Sequence, residues 1–389
     1  MHMLRHKPAS ALKVHLFPSG YAEARERFLE AAHHAHCDVE SWPLQAPGPR
    51  QTELNIDVAR WGNPHAANWL IVSSGLHGTE GPFGSAVQLE LLNRLASKKP
   101  DPHQGILFLH ALNPFGYAWV RRANEDNIDL NRNFLLPGEK YQGSHPLFRY
   151  VYQTFNPHRP RRIYHNFYLE AWWLISRYSK AALQASLPVG QYEFPEGLFF
   201  GGKAPSQTLT HLQWKTAVVV PGARNIVHLD FHTGLGKWAS GRLLIDSQVG
   251  DDDYQWWNAW APRDMVEPVT SQSTAYLARG TIGPWMKQII FPQANYRYAA
   301  AEFGTYGGVR VLRSLVEELR SHYALDPDDK RYQAAKKLVQ ETFIPPSFAW
   351  RNSVLHQGVA LCENAYRALP VNDLQRLQQG VSSVPAQAY

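Results

Sequence analysis

Short apolar runs that end in turn residues recur along the chain and predict strands. The four clearest cover residues 68–74, 105–112, 225–232 and 297–304. Runs of this length, bounded by glycine or proline, are typical of strands that are covered on both faces. A fifth strand is predicted over residues 54–59, where apolar and polar positions alternate.

Helical periodicity occupies the stretches between these strands. It predicts helices over residues 21–36, 84–97 and 309–323, with Ser19 as the cap of the first, and two more within 329–369. Strands that alternate with helices indicate an α/β fold, with a mixed, mostly parallel twisted sheet flanked by helices. In such sheets, reactive groups gather beyond the carboxyl ends of the strands.

The length of 389 residues allows one large domain, and we expect a single catalytic domain over residues 1–370. Residues 137–216 are rich in Tyr, Trp, Pro and Gly, which indicates a long excursion from the sheet that forms pocket walls. The polar, Gln-rich residues 371–389 are expected to be a flexible tail.

Composition narrows the class of protein. Hydrophobic residues make up 44% of the chain and charged residues 19%, which excludes wholesale disorder and coiled coil. Two cysteines, Cys37 and Cys362, cannot build a disulfide framework or a cysteine-based zinc site. The net charge of +6 is small for this length, so no nucleic acid is expected. The N-terminus has no apolar signal region and no apolar run could span a bilayer, so a cytoplasmic location without membrane contact is expected.

The sharpest local motif is His77-x-x-Glu80, between glycines, where a predicted strand passes into a helix. Residues three apart lie on the same side of a helical turn, and imidazole and carboxylate are both good zinc ligands. His232, at the end of another predicted strand, is the best third ligand. Two histidines and one glutamate would leave a coordination position open for water, as catalytic zinc sites do.

Two further segments contain residues that could bind substrate or take part in catalysis. The segment 121–134 follows a predicted buried strand and contains Arg121, Arg122, Asn131 and Arg132, and guanidinium groups suit carboxylates and oxyanions. Glu302 lies in an otherwise small and apolar strand, where burial of a carboxylate raises its pKa. Such a group could act as a general base.

Taken in order, these motifs resemble the zinc carboxypeptidase superfamily, which includes the aspartoacylase and succinylglutamate desuccinylase deacylases. The resemblance rests on His77-x-x-Glu80, Asn113-Pro-x-Gly116, Arg122 nine residues before Asn131-Arg132-Asn133-Phe134, Asp230-x-His232-Thr233 and Glu302. Within the superfamily, the chain resembles an uncharacterised bacterial branch. That branch is marked by Arg121-Arg122-x-Asn124-Glu125, Gly190-Gln-Tyr-x-x-Pro195-x-Gly197-Leu-Phe-x-Gly201-Gly202, Asp230-Phe-His-Thr-Gly-Leu-Gly236 and Glu302-Phe-Gly-Thr305.

The resemblance implies a role for each of these residues. One Zn²⁺ per chain would be bound by His77, Glu80 and His232. Glu302 would be the general base, and Arg122 would stabilise the oxyanion, with Arg121 as the alternative because of the doubled arginine. Asn131 and Arg132 would hold a substrate carboxylate, and Asp129 would orient the first histidine ligand. A tyrosine that covers the substrate could be Tyr276, Tyr296, Tyr298 or Tyr306.

The implied reaction is hydrolysis of an amide bond next to a free carboxylate, by a metallocarboxypeptidase-like exopeptidase acting on a small anionic substrate. An N-acyl amino-acid deacylase of the desuccinylase or aspartoacylase type uses the same parts and stays open. A non-catalytic binding protein on a peptidase fold is the next alternative. The chain has no Gly-x-Ser-x-Gly motif, which disfavours a serine hydrolase. A metal other than zinc stays open, because ligand type does not fix the metal.

Overall fold

The computed structural model describes residues 14–155, 157–158, 167–269 and 278–370. Within this part of the chain, one eight-stranded sheet runs in the order β1-β2-β4-β3-β5-β8-β6-β7. The strands are β1 (Asp38–Pro43), β2 (Asn55–Gly62), β3 (Asn68–Ser74), β4 (Gln104–His110), β5 (Asn225–Trp238), β6 (Gly241–Ile245), β7 (Val266–Pro268) and β8 (Asn295–Gly304).

The sheet is mixed, and its centre is parallel. Strand β3 pairs in parallel with β4 and β5, and β5 pairs in parallel with β8. Antiparallel pairs join β1 to β2, β2 to β4 and β6 to β8. The predicted mixed, mostly parallel sheet is therefore confirmed, and the four apolar runs correspond to its four central strands. The pattern did not predict β1, β6 or β7.

Twelve helices are present in the described residues. They are α1 (Tyr21–His34), α2 (Gly81–Leu95), α3 (Pro114–Ala118), α4 (Pro146–Phe155), α5 (Phe167–Tyr178), α6 (Lys180–Ser186), α7 (Gln207–Val219), α8 (Asp252–Trp260), α9 (Ile282–Trp285), α10 (Gly308–Ala324), α11 (Lys330–Phe343) and α12 (Phe348–Ala368). None of the described helices is long and apolar enough to cross a membrane.

Helices cover both faces of the sheet, which explains the unbroken apolar runs of the central strands. Along β3, Leu70 and Val72 belong to one buried cluster, which includes residues of α2 and α12. Trp69 and Ile71 belong to a second cluster on the other face, with residues of α7 and α9. Alternate residues of a strand point to opposite faces, so a strand covered on both sides shows no polar alternation.

The predicted excursion contains α4, α5 and α6 completely and most of α7. Helices α4, α5 and α6 share a third buried cluster with α10 and α11, apart from the two clusters on the sheet. The division of the chain into one domain and an excursion stays a prediction, and the expected tail lies outside the described residues.

The prediction that Ser19 caps α1 was wrong. The helix begins after Gly20, which makes no side-chain cap hydrogen bond. The Ser19 hydroxyl and amide both donate instead to Glu23 Oε2, at 2.6 and 2.8 Å. The glutamate carboxylate in the first turn is thus the acceptor, which is also favoured by the helix dipole.

His110, at the end of β4, is fully buried away from the candidate site. Its ring stacks on Phe28 at a centroid distance of 4.4 Å, and its Nε2 lies 3.0 Å from Ser85 Oγ. Burial, reinforced by the positive charge of Arg25, lowers the pKa of His110 to about 3. The facing residue across the strand pair is Asp57, whose carboxylate is bound by Arg25.

His110 should make the fold sensitive to acid. The folded state keeps the ring neutral down to about pH 3, whereas the unfolded chain takes up a proton near pH 6.5. Each pH unit below 6.5 should therefore remove about 1.4 kcal/mol of unfolding free energy through this one group. Denaturant unfolding of His110→Phe between pH 4.5 and 8 should show a slope shallower by about this amount. The exposed His65→Phe is the control and should leave the pH slope of the unfolding free energy unchanged. An unchanged slope in His110→Phe would contradict the lowered pKa of His110.

Candidate metal centre and active site

The first two candidate ligands follow β3. The strand ends at Ser74, and the next residue is Gly75, whose φ of +65° disfavours a side chain. The chain then enters a 3₁₀ turn from Gly78 to Glu80. A Cβ on Gly78 would lie 2.0 Å from the backbone of Gly116, so only glycine lets these segments meet. The turn brings His77 Nδ1 within 3.0 Å of Glu80 Oε1.

His232 completes the cluster from the neighbouring strand β5. Its Nδ1 lies 3.0 Å from Glu80 Oε2, and that oxygen also accepts a hydrogen bond from the amide of Thr233. One ligand atom from each of His77, Glu80 and His232 lies within 4.8 Å of the others, and all three residues are buried. Parallel strands end at one edge of the sheet, which is why residues far apart in sequence meet here.

Each histidine has a carboxylate on the nitrogen that faces away from Glu80. His77 Nε2 lies 3.2 Å from Asp129 Oδ1, and His232 Nε2 lies 2.7 Å from Asp230 Oδ2. Nδ1 of both rings faces a common point at Glu80, and carboxylates placed in this way orient histidine ligands. Asp129 was predicted in this role, whereas Asp230 was missed, although the Asp-x-His spacing puts both side chains on one face of β5.

The charges around this point favour a cation. Burial alone would raise the pKa of Glu80 and of Asp129, but nearby cationic groups outweigh it and hold both pKa values below their ordinary range. Burial would also raise the pKa of Asp230, but His232 and hydrogen bonds lower it to about 2. Burial would lower the pKa of His232, but Asp230 and Glu80 outweigh it and hold that pKa well above its usual value. Two imidazoles and a carboxylate among ionised carboxylates therefore fit a divalent metal ion, and the fit is chemically suited to zinc.

Glu302 lies beside the cluster. It is paired with His232 in the register of β5 and β8, and its Oε1 accepts a hydrogen bond from the amide of Leu235 at 2.8 Å. Burial, and then the negative charge of Glu80, raises the pKa of Glu302 to about 8. A cation held by Glu80 would act in the opposite direction, because opposite charge favours the ionised carboxylate.

The two adjacent arginines go to different places. Arg122 donates through Nε to Asp129 Oδ2 at 2.9 Å, and one of its terminal nitrogens lies 3.5 Å from Glu80. Arg121 points away into the protein, where it donates to Glu318 on α10 at 3.1 Å. Only Arg122 of the two lines the cavity at the site.

Asn131 and Arg132 line the same cavity. Asn131 Oδ1 accepts a hydrogen bond from the amide of Ile282, and Arg132 donates through Nε to the carbonyl of Pro188 at 2.7 Å. Arg132 is 6% exposed, and its Nη1 donates to the carbonyl of Asn131. Burial, outweighing the attraction of Asp129, lowers its pKa. A buried guanidinium held only by carbonyl oxygens is suited to an anionic ligand.

Of the tyrosines predicted as candidates to cover the substrate, some line the cavity and others do not. Tyr298 lines the cavity, and its hydroxyl lies 3.3 Å from Asp230 Oδ2. Tyr296 is buried behind the site, where its hydroxyl contacts His228 Nδ1 at 2.6 Å. Tyr306 packs on Trp238, away from the cavity, and Tyr276 lies outside the described residues.

A family match covers most of the chain. The family with the description "Protein of unknown function (DUF2817)" matches residues 17–357. The chain belongs to this family. The predicted membership of an uncharacterised branch is thereby confirmed. A search of curated proteins found no match for this DUF2817 chain.

Solved structures similar to the DUF2817 chain include both groups named by the sequence resemblance. Bovine thrombin-activatable fibrinolysis inhibitor, in complex with tick carboxypeptidase inhibitor, is 12% identical with a TM-score of 0.46, covering 91% of this chain and 98% of that one. Carboxypeptidase A from Helicoverpa armigera is 12% identical with a TM-score of 0.45, covering 88% of this chain and 73% of that one. Succinylglutamate desuccinylase from Chromobacterium violaceum is 15% identical with a TM-score of 0.37, covering 82% of this chain and 74% of that one.

Proposed function

We propose that the DUF2817 chain is a zinc-dependent hydrolase that cleaves an amide bond next to a free carboxylate, as a carboxypeptidase-like exopeptidase does. One observation carries this proposal: a three-residue ligand cluster, a buried glutamate, the buried Arg132 and the partly buried Arg122 line a single cavity. His77, Glu80 and His232 would hold the ion. When bound, zinc would supply Lewis acidity at the scissile carbonyl and at the attacking water.

The residues of the chain then have separate tasks. Glu302 takes a proton from the attacking water and delivers it to the leaving amine. Arg122, held by Asp129, places a fixed positive charge where the carbonyl oxygen becomes negative. Arg132 and Asn131 bind the free carboxylate and so orient the scissile bond. Asp129 and Asp230 keep the two histidine rings in place.

An N-acyl amino-acid deacylase is the second candidate. It would use the same groups on a substrate whose acyl part is not a peptide. The observation that favours it is the cavity, which has a volume of about 860 Å³ and extends from the site between the helices of the excursion. A non-catalytic binding protein is disfavoured, because the ligand cluster, the buried glutamate and both cavity-lining arginines are all present.

The carboxylate anchor gives the sharpest test of the reaction. Blocking the substrate carboxylate as a methylamide should lower kcat/KM by about 30- to 4,000-fold, because an unpaired buried charge costs roughly 2–5 kcal/mol. Arg132→Met should erase this preference, since both substrates then meet a neutral wall. The measurement is kcat/KM for one free-acid substrate and its methylamide on both proteins.

Arg310→Met is a matched control, because Arg310 also lines the cavity but stacks on Tyr306. It should keep the preference for the free acid. Equal rates for the two substrates on the unmodified protein would contradict the anchor and favour hydrolysis of internal bonds. Loss of the preference in Arg310→Met instead of Arg132→Met would move the anchor to Arg310.

A further inference from the structure

The cavity at the site is larger than the groups assigned so far require. Its volume of about 860 Å³ lies near the upper end of the range for sites that enclose whole drug-sized ligands. The ligand cluster, Glu302 and the two arginines occupy one part of its wall. Much of the remaining wall is built by α5, α6 and α10, and nothing in the reaction derived above uses these helices.

That remaining wall is mostly apolar, although Lys180 of α6 and Arg310 of α10 also line it. Its apolar part is formed by Leu174 and Ile175 of α5, Leu183 of α6, Leu187 just after α6, and Leu312 and Leu315 of α10. Leu174, Leu183 and Leu315 belong to the buried cluster of the excursion, apart from the clusters on the sheet. The wall is therefore a product of the excursion packing against α10, and it lines the same cavity as the hydrolytic groups.

The helical wall is better suited to an alkyl chain than to a peptide. The backbone N–H and C=O groups of α5, α6 and α10 are used within the helices, so they offer little to an extended peptide. Peptide groups buried without partners are unfavourable, whereas methylene groups are stabilised by leaving water. An aliphatic chain needs only the apolar contacts that this wall provides.

We propose that this cavity binds the acyl chain of N-acyl amino acids with a long aliphatic acyl group. The inference rests on the proposed function, because the amino-acid carboxylate is placed on Arg132 and Asn131. The substrate resembles a peptide C-terminus in which a fatty acyl group replaces the preceding residues. Hydrolysis breaks the amide C–N bond: the water oxygen joins the carbonyl carbon, and the nitrogen gains a proton. The products are a long-chain carboxylate and a free amino acid.

The proposal predicts a strong dependence on acyl length. For the zinc-loaded, full-length protein, kcat/KM on N-acyl-alanines should rise about fourfold per added methylene, which is a few hundredfold from butyryl to octanoyl. Ile175→Trp, on the cavity side of α5, should remove most of this rise while leaving the acetyl substrate little affected. Leu169→Trp lies on the same helix but is 64% exposed, and it should behave as the unmodified protein.

A binding measurement separates this inference from the proposed function. Calorimetry with dodecanoate, with and without zinc, should show binding that Ile175→Trp weakens at least tenfold and Leu169→Trp does not. Binding with no turnover of any N-acyl-alanine or free-acid peptide would support the acyl cavity and overturn the hydrolase. Turnover that is independent of acyl length would overturn the acyl cavity and leave the hydrolase standing. If the protein shows no dodecanoate binding and no turnover, the acyl cavity is overturned as well.

Discussion

Glu302→Gln should keep the fold and the bound metal but lower kcat by about 100- to 10,000-fold, the usual contribution of a general base. The amide has the shape of the carboxylate and can still accept the hydrogen bond from the Leu235 amide. It cannot take the proton of the attacking water. The measurement is kcat on the best free-acid substrate, together with the zinc content and the melting temperature of the variant.

The outcome separates catalysis from structure. Normal zinc content and thermal stability, with the expected loss of kcat, would assign the proton transfer to Glu302. Near-normal turnover would contradict that assignment and move the base to another residue. A kcat loss accompanied by loss of zinc would indicate that Glu302 supports the ligand cluster instead.

His77→Ala and His232→Ala should each abolish stoichiometric zinc binding and, with it, all measurable hydrolysis. Each substitution leaves only two of the three ligands that lie within 4.8 Å of one another. Structural and catalytic zinc sites in proteins need at least three protein ligands. The zinc content after dialysis, measured by elemental analysis against protein concentration, tests this expectation directly.

Two further variants make the result specific. His110→Phe removes a buried histidine remote from the cluster and should retain one zinc per chain. Asp230→Asn removes the carboxylate that lies 2.7 Å from His232 Nε2 and should weaken zinc binding about 10- to 100-fold without abolishing it. Stoichiometric zinc at the same site in His77→Ala or His232→Ala would show that the ligand set is different.

Much of the architecture could be predicted from local patterns. The apolar runs predicted the four central strands, because a strand covered on both faces needs an unbroken apolar sequence. The ends of these strands then indicated where His77, His232 and Glu302 would meet, since parallel strands end at one edge of the sheet. Strand β1 and the short strands β6 and β7 were missed, because their sequences carry no comparable signal; β1, for example, has one buried residue among six.

The sequence by itself determined the central strands, the ordered motifs and the residue types of the site. Only the tertiary structure decided that Arg122 faces Glu80 while Arg121 binds Glu318, because adjacent side chains diverge and packing on α10 selects between them. It also decided the apolar cavity, whose wall joins residues near 175 to residues near 315. A cavity is the space left between packed helices, and that space depends on contacts between distant segments that no local pattern contains.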